Sequence, residues 1–224
     1  MDTKELLNRL KGVPACAVGD NMLKLGFRPD KIVMNHLRPI FEMEDPIIGP
    51  AVTIKYVLSR EDAKTEDVKR LMYTPIDNAE PGSVLIIAGG KPHFALFGDI
   101  MGTRCKLKGF SGVILESGAK DSISLKKIGL PTFAFGPCIV GALFGKYAKP
   151  IECNTTVVCD GVEVNPGDIL LADNDGIVVI PKEVLPKIVE MVEETEKKEE
   201  EAKKQLQAGK SLFEAYPMDE SKKK

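Results

Sequence analysis

Tryptophan is absent from the 224 residues, aromatic residues make up only 6%, and histidine occurs twice, at His36 and His93. So few flat side chains argue against a base-stacking platform for nucleic acid. A histidine-rich metal centre or a Ser/His/Asp relay would have to be built around one of two residues far apart in sequence. His93 falls in the loop GGKPHF, where a solvated imidazole is the ordinary reading. An excess of one charge is also lacking: 31 Lys and Arg face 33 Asp and Glu, a formal charge of -2, so there is no basic field to hold nucleic acid. No apolar run approaches the roughly 20 residues that a membrane helix needs. The opening MDTKELLNRLKGV has neither the basic n-region nor the apolar h-region of a secretory signal, and the expected location is the cytoplasm, with no membrane partner. The five cysteines, Cys16, Cys105, Cys138, Cys153 and Cys159, are odd in number and include no C-x-x-C pair, which is the usage of free thiols.

What is present suits a chain with a sizeable core: 43% hydrophobic and 29% charged residues, in a length that needs no disulfide or metal to fold. Leu6, Leu7 and Leu10 are spaced as in a short helix that stops before Gly12 and Pro14, and Ala17 to Gly26 reads as a second. The run IIGPAVTIKYV (47–57) has strand composition broken by Gly49 and Pro50, and the charged stretch from Arg60 to Arg70 fits a surface helix reaching Met72. Short β-branched runs then recur between Gly, Pro and Asp: SVLIIA (83–88), GVILE (112–116), PTFAF (131–135), TTVVC (155–159), DILLA (168–172) and GIVVI (176–180). A helix within LFGDIMGTRCKLKG turns the first two into a β-α-β unit of about 30 residues with a right-handed crossover. The tight turns NPGD and ADNDG point to antiparallel hairpins among the later strands. After Pro181 a long helix runs toward Gly209, its second half laced by Glu193–Lys197, Glu194–Lys198, Glu199–Lys203 and Glu200–Lys204 pairs, each with Glu four residues before Lys. The expectation is an α/β chain with a mixed, partly barrel-like sheet, flanking helices and a long C-terminal helix.

Two segments concentrate unusual residue choices. In ALFGDIMGTRC (95–105), Gly98 and Gly102 flank Asp99 at a helix entry, where backbone N–H groups make a cradle for a carboxylate or phosphate; a plain helix cap is the competing reading of Asp99. In ESGAKDSIS (116–124), Lys120 and Asp121 sit side by side beyond the C-terminal end of a strand, where ligands of open sheets bind. They form either an exposed ion pair or half of a site, with Lys120 neutralising an anion and Asp121 holding a hard divalent ion.

With AVGDNMLKLG, AEPGSVLIIAGG, VEVNPGDILLADNDGIVVIP and AGKSLFEAY, these segments resemble, over nearly the whole chain, the family of 4-hydroxy-4-methyl-2-oxoglutarate aldolases and the regulator of ribonuclease activity A. Its aldolase members carry D-x20-R-D-x2-[D/E]; here Asp99 is followed by 20 residues, then Lys120, Asp121, two residues and Ser124. The resemblance implies a swivelling β/β/α domain, expected over residues 1–181, while the residue pattern gives a helical extension over 182–216 and a disordered tail over 217–224. It also implies homotrimers, or hexamers of two stacked trimers, with sites in clefts between subunits.

For chemistry it implies a Mg²⁺- or Mn²⁺-dependent lyase acting on a small 2-oxo acid. That is retro-aldol release of pyruvate from 4-hydroxy-2-oxo acids, decarboxylation of oxaloacetate, or both. Asp121 is then the metal-side carboxylate, the Gly98, Asp99, Ile100 and Met101 backbone receives the substrate carboxylate, Asp99 moves protons through water, and Lys120 takes the place of the family arginine. Lys120 keeps the charge and loses the planar fork, and Ser124 stands where the family has an acid. The family's other branch is non-catalytic and inhibits a ribonuclease assembly by protein contact. It tends to carry glycine at the position of Asp99, so the carboxylate here favours an enzyme. A Schiff-base lyase using Lys120 is disfavoured, because Asp121 beside it stabilises the charged amine.

Overall fold

The sheet is organised around one strand of twelve residues, Ile47–Leu58. In the computed structural model, which describes residues 2–59, 63–142 and 146–216, its first half pairs antiparallel with Ile169–Ala172 and its second half antiparallel with Ala148–Cys153. Its other edge pairs parallel with Val84–Ala88, followed by the parallel strands Gly112–Leu115 and Thr132–Ala134. Ile177–Ile180 hairpins onto Ile169–Ala172, and the short strands Val33–Met34 and Arg38–Pro39 finish the two ends. The result is a mixed sheet curled into a partial barrel, with helices outside it.

Pairing with neighbours on both edges and packing on both faces explains the uninterrupted apolar text of VLIIA, GVIL and TFA, every residue of which is buried. Alternate residues serve different cores. Leu85, Ile87, Val113 and Leu115 face the helices Thr65–Asn78, Asp99–Lys108 and Ser122–Ile128. Val84, Ile86 and Ile114 face inward, where the hairpin Val157–Cys159/Val162–Val164 closes over them. A third core joins Thr3–Arg9 and Ala15–Lys24 to the long helix Leu185–Gln207 across Ile169, Leu171, Val178 and Ile180. No helix among the described residues is long and apolar enough to cross a membrane.

Several local expectations change. Gly49 and Pro50 do not break their strand. A Cβ on Gly49 would run into the Gly82 carbonyl oxygen, so glycine is what lets the strand pass that turn. Ala51 donates to Asp168 at 2.8 Å, which turns the Pro50 nitrogen to the opposite edge, just ahead of where pairing with Val84 begins, so its missing N–H goes unneeded. NPGD is a corner rather than a hairpin turn. Val162–Val164 pairs back onto Val157–Cys159 through Asp160 and Gly161, both at positive φ as a two-residue primed turn requires. The helix expected from Arg60 to Met72 spans Thr65–Asn78 instead, and residues 60–62 lie outside the described residues, as does the tail 217–224. The long helix starts at Leu185, four residues after Pro181, and the chain leaves it through Gly209 at φ 89°. Of its expected ion pairs, Glu194–Lys198 (2.6 Å) and Glu200–Lys204 (2.8 Å) form. Glu193 instead accepts two bonds from Arg9, at 2.7 and 2.8 Å, tying the first helix to the last.

Candidate functional site

A second, smaller sheet brings the two unusual segments together. Ala95–Phe97, Gly118–Ala119 and Gly136–Pro137 pair in parallel beyond the C-terminal ends of the central strands. Phe97 stands opposite Ala119 in register, and the Lys120 N–H donates to the Phe97 carbonyl at 3.1 Å. The next residues on each side, Gly98 and Lys120, are therefore neighbours, and each strand feeds a helix: Asp99–Lys108 and Ser122–Ile128. Gly102 keeps those helices close, because a Cβ there would run into Leu125.

The helix beginning at Asp99 has Gly98 as its N-cap and no side-chain cap, so Asp99 is the first helical residue and its carboxylate is not spent on capping. Asp121 occupies the N-cap position of the other helix, at φ 59°, ψ 36°, and it too makes no cap bond to its own helix. Its carboxylate crosses instead to the neighbouring helix start: the Asp99 N–H donates to Oδ2 at 3.3 Å, and Lys120 Nζ lies 3.7 Å from the same atom. Both contacts fall on Oδ2, leaving Oδ1 without a donor among the described residues. Left-handed backbone at a non-glycine residue is a strain that aspartate and asparagine bear best. Here it aims the carboxylate at the Asp99 turn.

Glycine at 98 is part of the geometry. A Cβ there would stand 2.6 Å from Asp121 Oδ2 and 2.8 Å from Lys120 Cε. The Ile100 and Met101 amides complete the first turn, and the positive end of the helix dipole points into the same space. All six expected site residues, Gly98, Asp99, Ile100, Met101, Lys120 and Asp121, thus lie around two adjacent helix starts. Ser124 follows in the first turn of the second helix. Glu116 does other work: it accepts from the Gly89 N–H at 2.6 Å and the Asp160 N–H at 2.9 Å, pinning two loops to the end of the central sheet.

The donor set suits a particular kind of ion. No group of three or more His, Cys, Asp or Glu among the described residues could cage a metal. One carboxylate oxygen without a donor, with Asp99 nearby, fits a hard ion such as Mg²⁺ that keeps several waters and takes further oxygens from substrate.

Sequence reasoning missed the cavity that adjoins these residues. It has a volume of about 350 Å³ and is bordered by Gly98, Asp99, Ile100, Met101 and Lys120 on one side. Leu96 and Phe97, Tyr56 from the long strand, and Val68, Met72 and Tyr73 from the helix Thr65–Asn78 form other parts of its lining. Tyr56 is buried, its hydroxyl donates to Met72 Sδ at 2.7 Å, and desolvation pushes its ionisation far above the ordinary tyrosine range. The alternation of Ile54 and Tyr56 with Lys55 was the available signal for Tyr56, which packs on the helix side of the sheet.

The family described as RraA-like, Aldolase/RraA, matches residues 15–179. The uncharacterized protein MJ0644 of Methanocaldococcus jannaschii is 30% identical over 194 residues, 86% of each chain. A protein of Halalkalibacterium halodurans, provisionally named a 4-hydroxy-4-methyl-2-oxoglutarate aldolase, is 31% identical over 147 residues, 65% of this chain and 64% of that one. Among solved structures, Streptomyces coelicolor RraAS2, described as an unusual member of the RNase ES inhibitor RraA protein family, superposes with a TM-score of 0.78. Its identity is 24%, over 89% of this chain and 96% of its own, and shows a shared fold.

Proposed function

The chain belongs to the RraA-like aldolase/RraA family, and from that premise we propose that it is a divalent-metal-dependent carbon–carbon lyase. Its reaction is retro-aldol cleavage of a 4-hydroxy-2-oxo acid to pyruvate and a carbonyl compound, with decarboxylation of oxaloacetate as the related activity of the same site. The observation that carries this reading is the Asp121 carboxylate drawn across to the Asp99 turn, with Lys120 beside it and Gly98 making the close approach possible.

Asp121 would hold Mg²⁺ or Mn²⁺, which when bound supplies Lewis acidity toward the carboxylate and keto oxygens of the substrate. The amides of the Asp99 turn receive that carboxylate at the positive end of the helix. Lys120 places a cation where negative charge grows on the keto oxygen as the C3–C4 bond breaks. Asp99, acting through water, accepts the proton of the C4 hydroxyl, so that C4 becomes a carbonyl. The bonding pair passes to C3, and the same water chain returns a proton there, completing pyruvate. Lys120 acts as a point charge, so it orients the oxygen less strictly than an arginine fork would.

The assembly we propose is a homotrimer, alone or stacked as a hexamer. Ile100 and Leu107, two turns apart on one helix, are 82% and 76% exposed, and Ile123 on the adjoining helix is 73% exposed. Such side chains beside a site are what a second subunit would cover.

Pyruvate release from a panel of 4-hydroxy-2-oxo acids and oxaloacetate tests the reading. Activity should vanish with EDTA and return with Mg²⁺ or Mn²⁺. Pyruvate release that survives complete chelation would contradict it, and so would its absence from every substrate with metal present.

A further inference from the structure

The geometry points to a substrate whose C4 substituent is an uncharged, apolar chain rather than a second carboxylate. This rests on the lyase reading for its 2-oxo acid head and goes beyond it in naming the tail. With the head on the Asp99 turn and Lys120, the remainder of the molecule faces the adjoining cavity of about 350 Å³, at the small end of ligand pockets.

The wall away from the helix starts is apolar. Val68 and Met72 are 3% and 7% exposed, Leu96 is 7% and Tyr56 4%. Lys120 is the only cation among the described residues that line the cavity, and the head group and Asp121 already engage it. From this subunit, a second carboxylate would therefore meet carbon atoms and sulfur and no counter-charge, beside the negative Asp99, an arrangement desolvation disfavours. The polar groups on that wall are phenols, and the Tyr56 hydroxyl is already donating to Met72. An alkyl chain loses nothing there, and each methylene moved out of water improves affinity about threefold to fourfold.

Two measurements on the full chain with Mg²⁺ separate this inference from the lyase reading. The first is calorimetric binding of 2-oxohexanoate and 2-oxoglutarate, neither of which has a C4 hydroxyl to cleave. 2-Oxohexanoate should bind at least tenfold more tightly; equal affinity, tighter 2-oxoglutarate or no binding of either overturns the inference. Tyr73→Arg, which sets a cation at a half-buried part of the lining, should cut that preference at least threefold. A ratio that does not move places the tail elsewhere and also overturns it. The second measurement is pyruvate release from 4-hydroxy-2-oxo acids with methyl to butyl groups at C4, compared with 4-hydroxy-2-oxoglutarate. A rise in kcat/KM along the alkyl series, above the dicarboxylate, supports the inference. A flat series or a preferred dicarboxylate overturns it. Absence of turnover with the binding preference intact would sink the lyase reading alone.

Discussion

Replacing Gly98 with alanine separates positioning from folding at this site. The new Cβ would stand 2.6 Å from Asp121 Oδ2 and 2.8 Å from Lys120 Cε, so the carboxylate must withdraw by about 1 Å to reach ordinary van der Waals distance. That movement breaks the 3.3 Å bond from the Asp99 N–H and turns Oδ1 away from the space where it would meet an ion. The fold has little to lose: Gly98 is at φ -153°, extended backbone that alanine adopts freely, and the Lys120 side chain is 47% exposed and can swing into solvent. Alanine also removes conformational freedom from the unfolded chain, worth about 0.4–1 kcal/mol in favour of folding. The net stability change should stay within about 1 kcal/mol, a Tm shift of about 2–4 °C in a chain of this size. A misplacement of about 1 Å in a reacting constellation costs about 10²-fold in rate. The assay is pyruvate release with Mg²⁺ alongside thermal unfolding. A Gly98→Ala protein that folds normally and keeps full kcat would refute the argument that Asp121 must sit against the Asp99 turn.

The lysine departure gives a prediction of defined sign. Lys120→Arg should restore two-point contact with an oxyanion, and at about 1.5–3 kcal/mol for a charge-assisted bond, turnover of a 4-hydroxy-2-oxo acid should rise about tenfold or more; a fall would show that lysine is required as such. Thiol reactivity tests the packing independently. Burial pushes the Cys105 thiol up to about 12 and Cys159 well above the usual thiol range. A thiol reagent at pH 8 should therefore spare those two in the native protein and label all five cysteines after denaturation. Rapid native labelling of Cys159 would contradict the packing of its hairpin against the central sheet.

The central strands were legible because each is a short apolar run between Gly, Pro and Asp, and a strand buried on both faces has no polar alternation to interrupt it. The meeting of Asp99 and Lys120 followed from a family spacing, and its physical cause is the topology. Twenty intervening residues make one helix, one central strand and one short strand, which returns the chain beside its starting point. The three strands of the small sheet that enforces this contact hold three, two and two residues, too few to show any periodicity. The cavity was hidden for another reason. Tyr56 and Met72 come from a strand and a helix outside the motif, and side chains that only line a wall carry no spacing of their own. The Asp160–Gly161 turn was readable in its sequence, but the proline-containing NPGD nearby drew the hairpin reading to the wrong side of the strand.

The central claim, that the Asp121 carboxylate holds the metal on which turnover depends, is tested most directly by Asp121→Asn. Asparagine accepts the left-handed backbone of position 121 almost as readily as aspartate, so the fold and the shape of the site should persist while the charge is lost. The measurement is the Mg²⁺ dependence of pyruvate release from a 4-hydroxy-2-oxo acid in the two proteins, with the oligomer checked by light scattering. The account predicts an unchanged assembly of three subunits or a multiple, metal-dependent turnover in the parent protein, and none that Mg²⁺ can restore in the variant. Turnover by Asp121→Asn with the parent's Mg²⁺ response would contradict it.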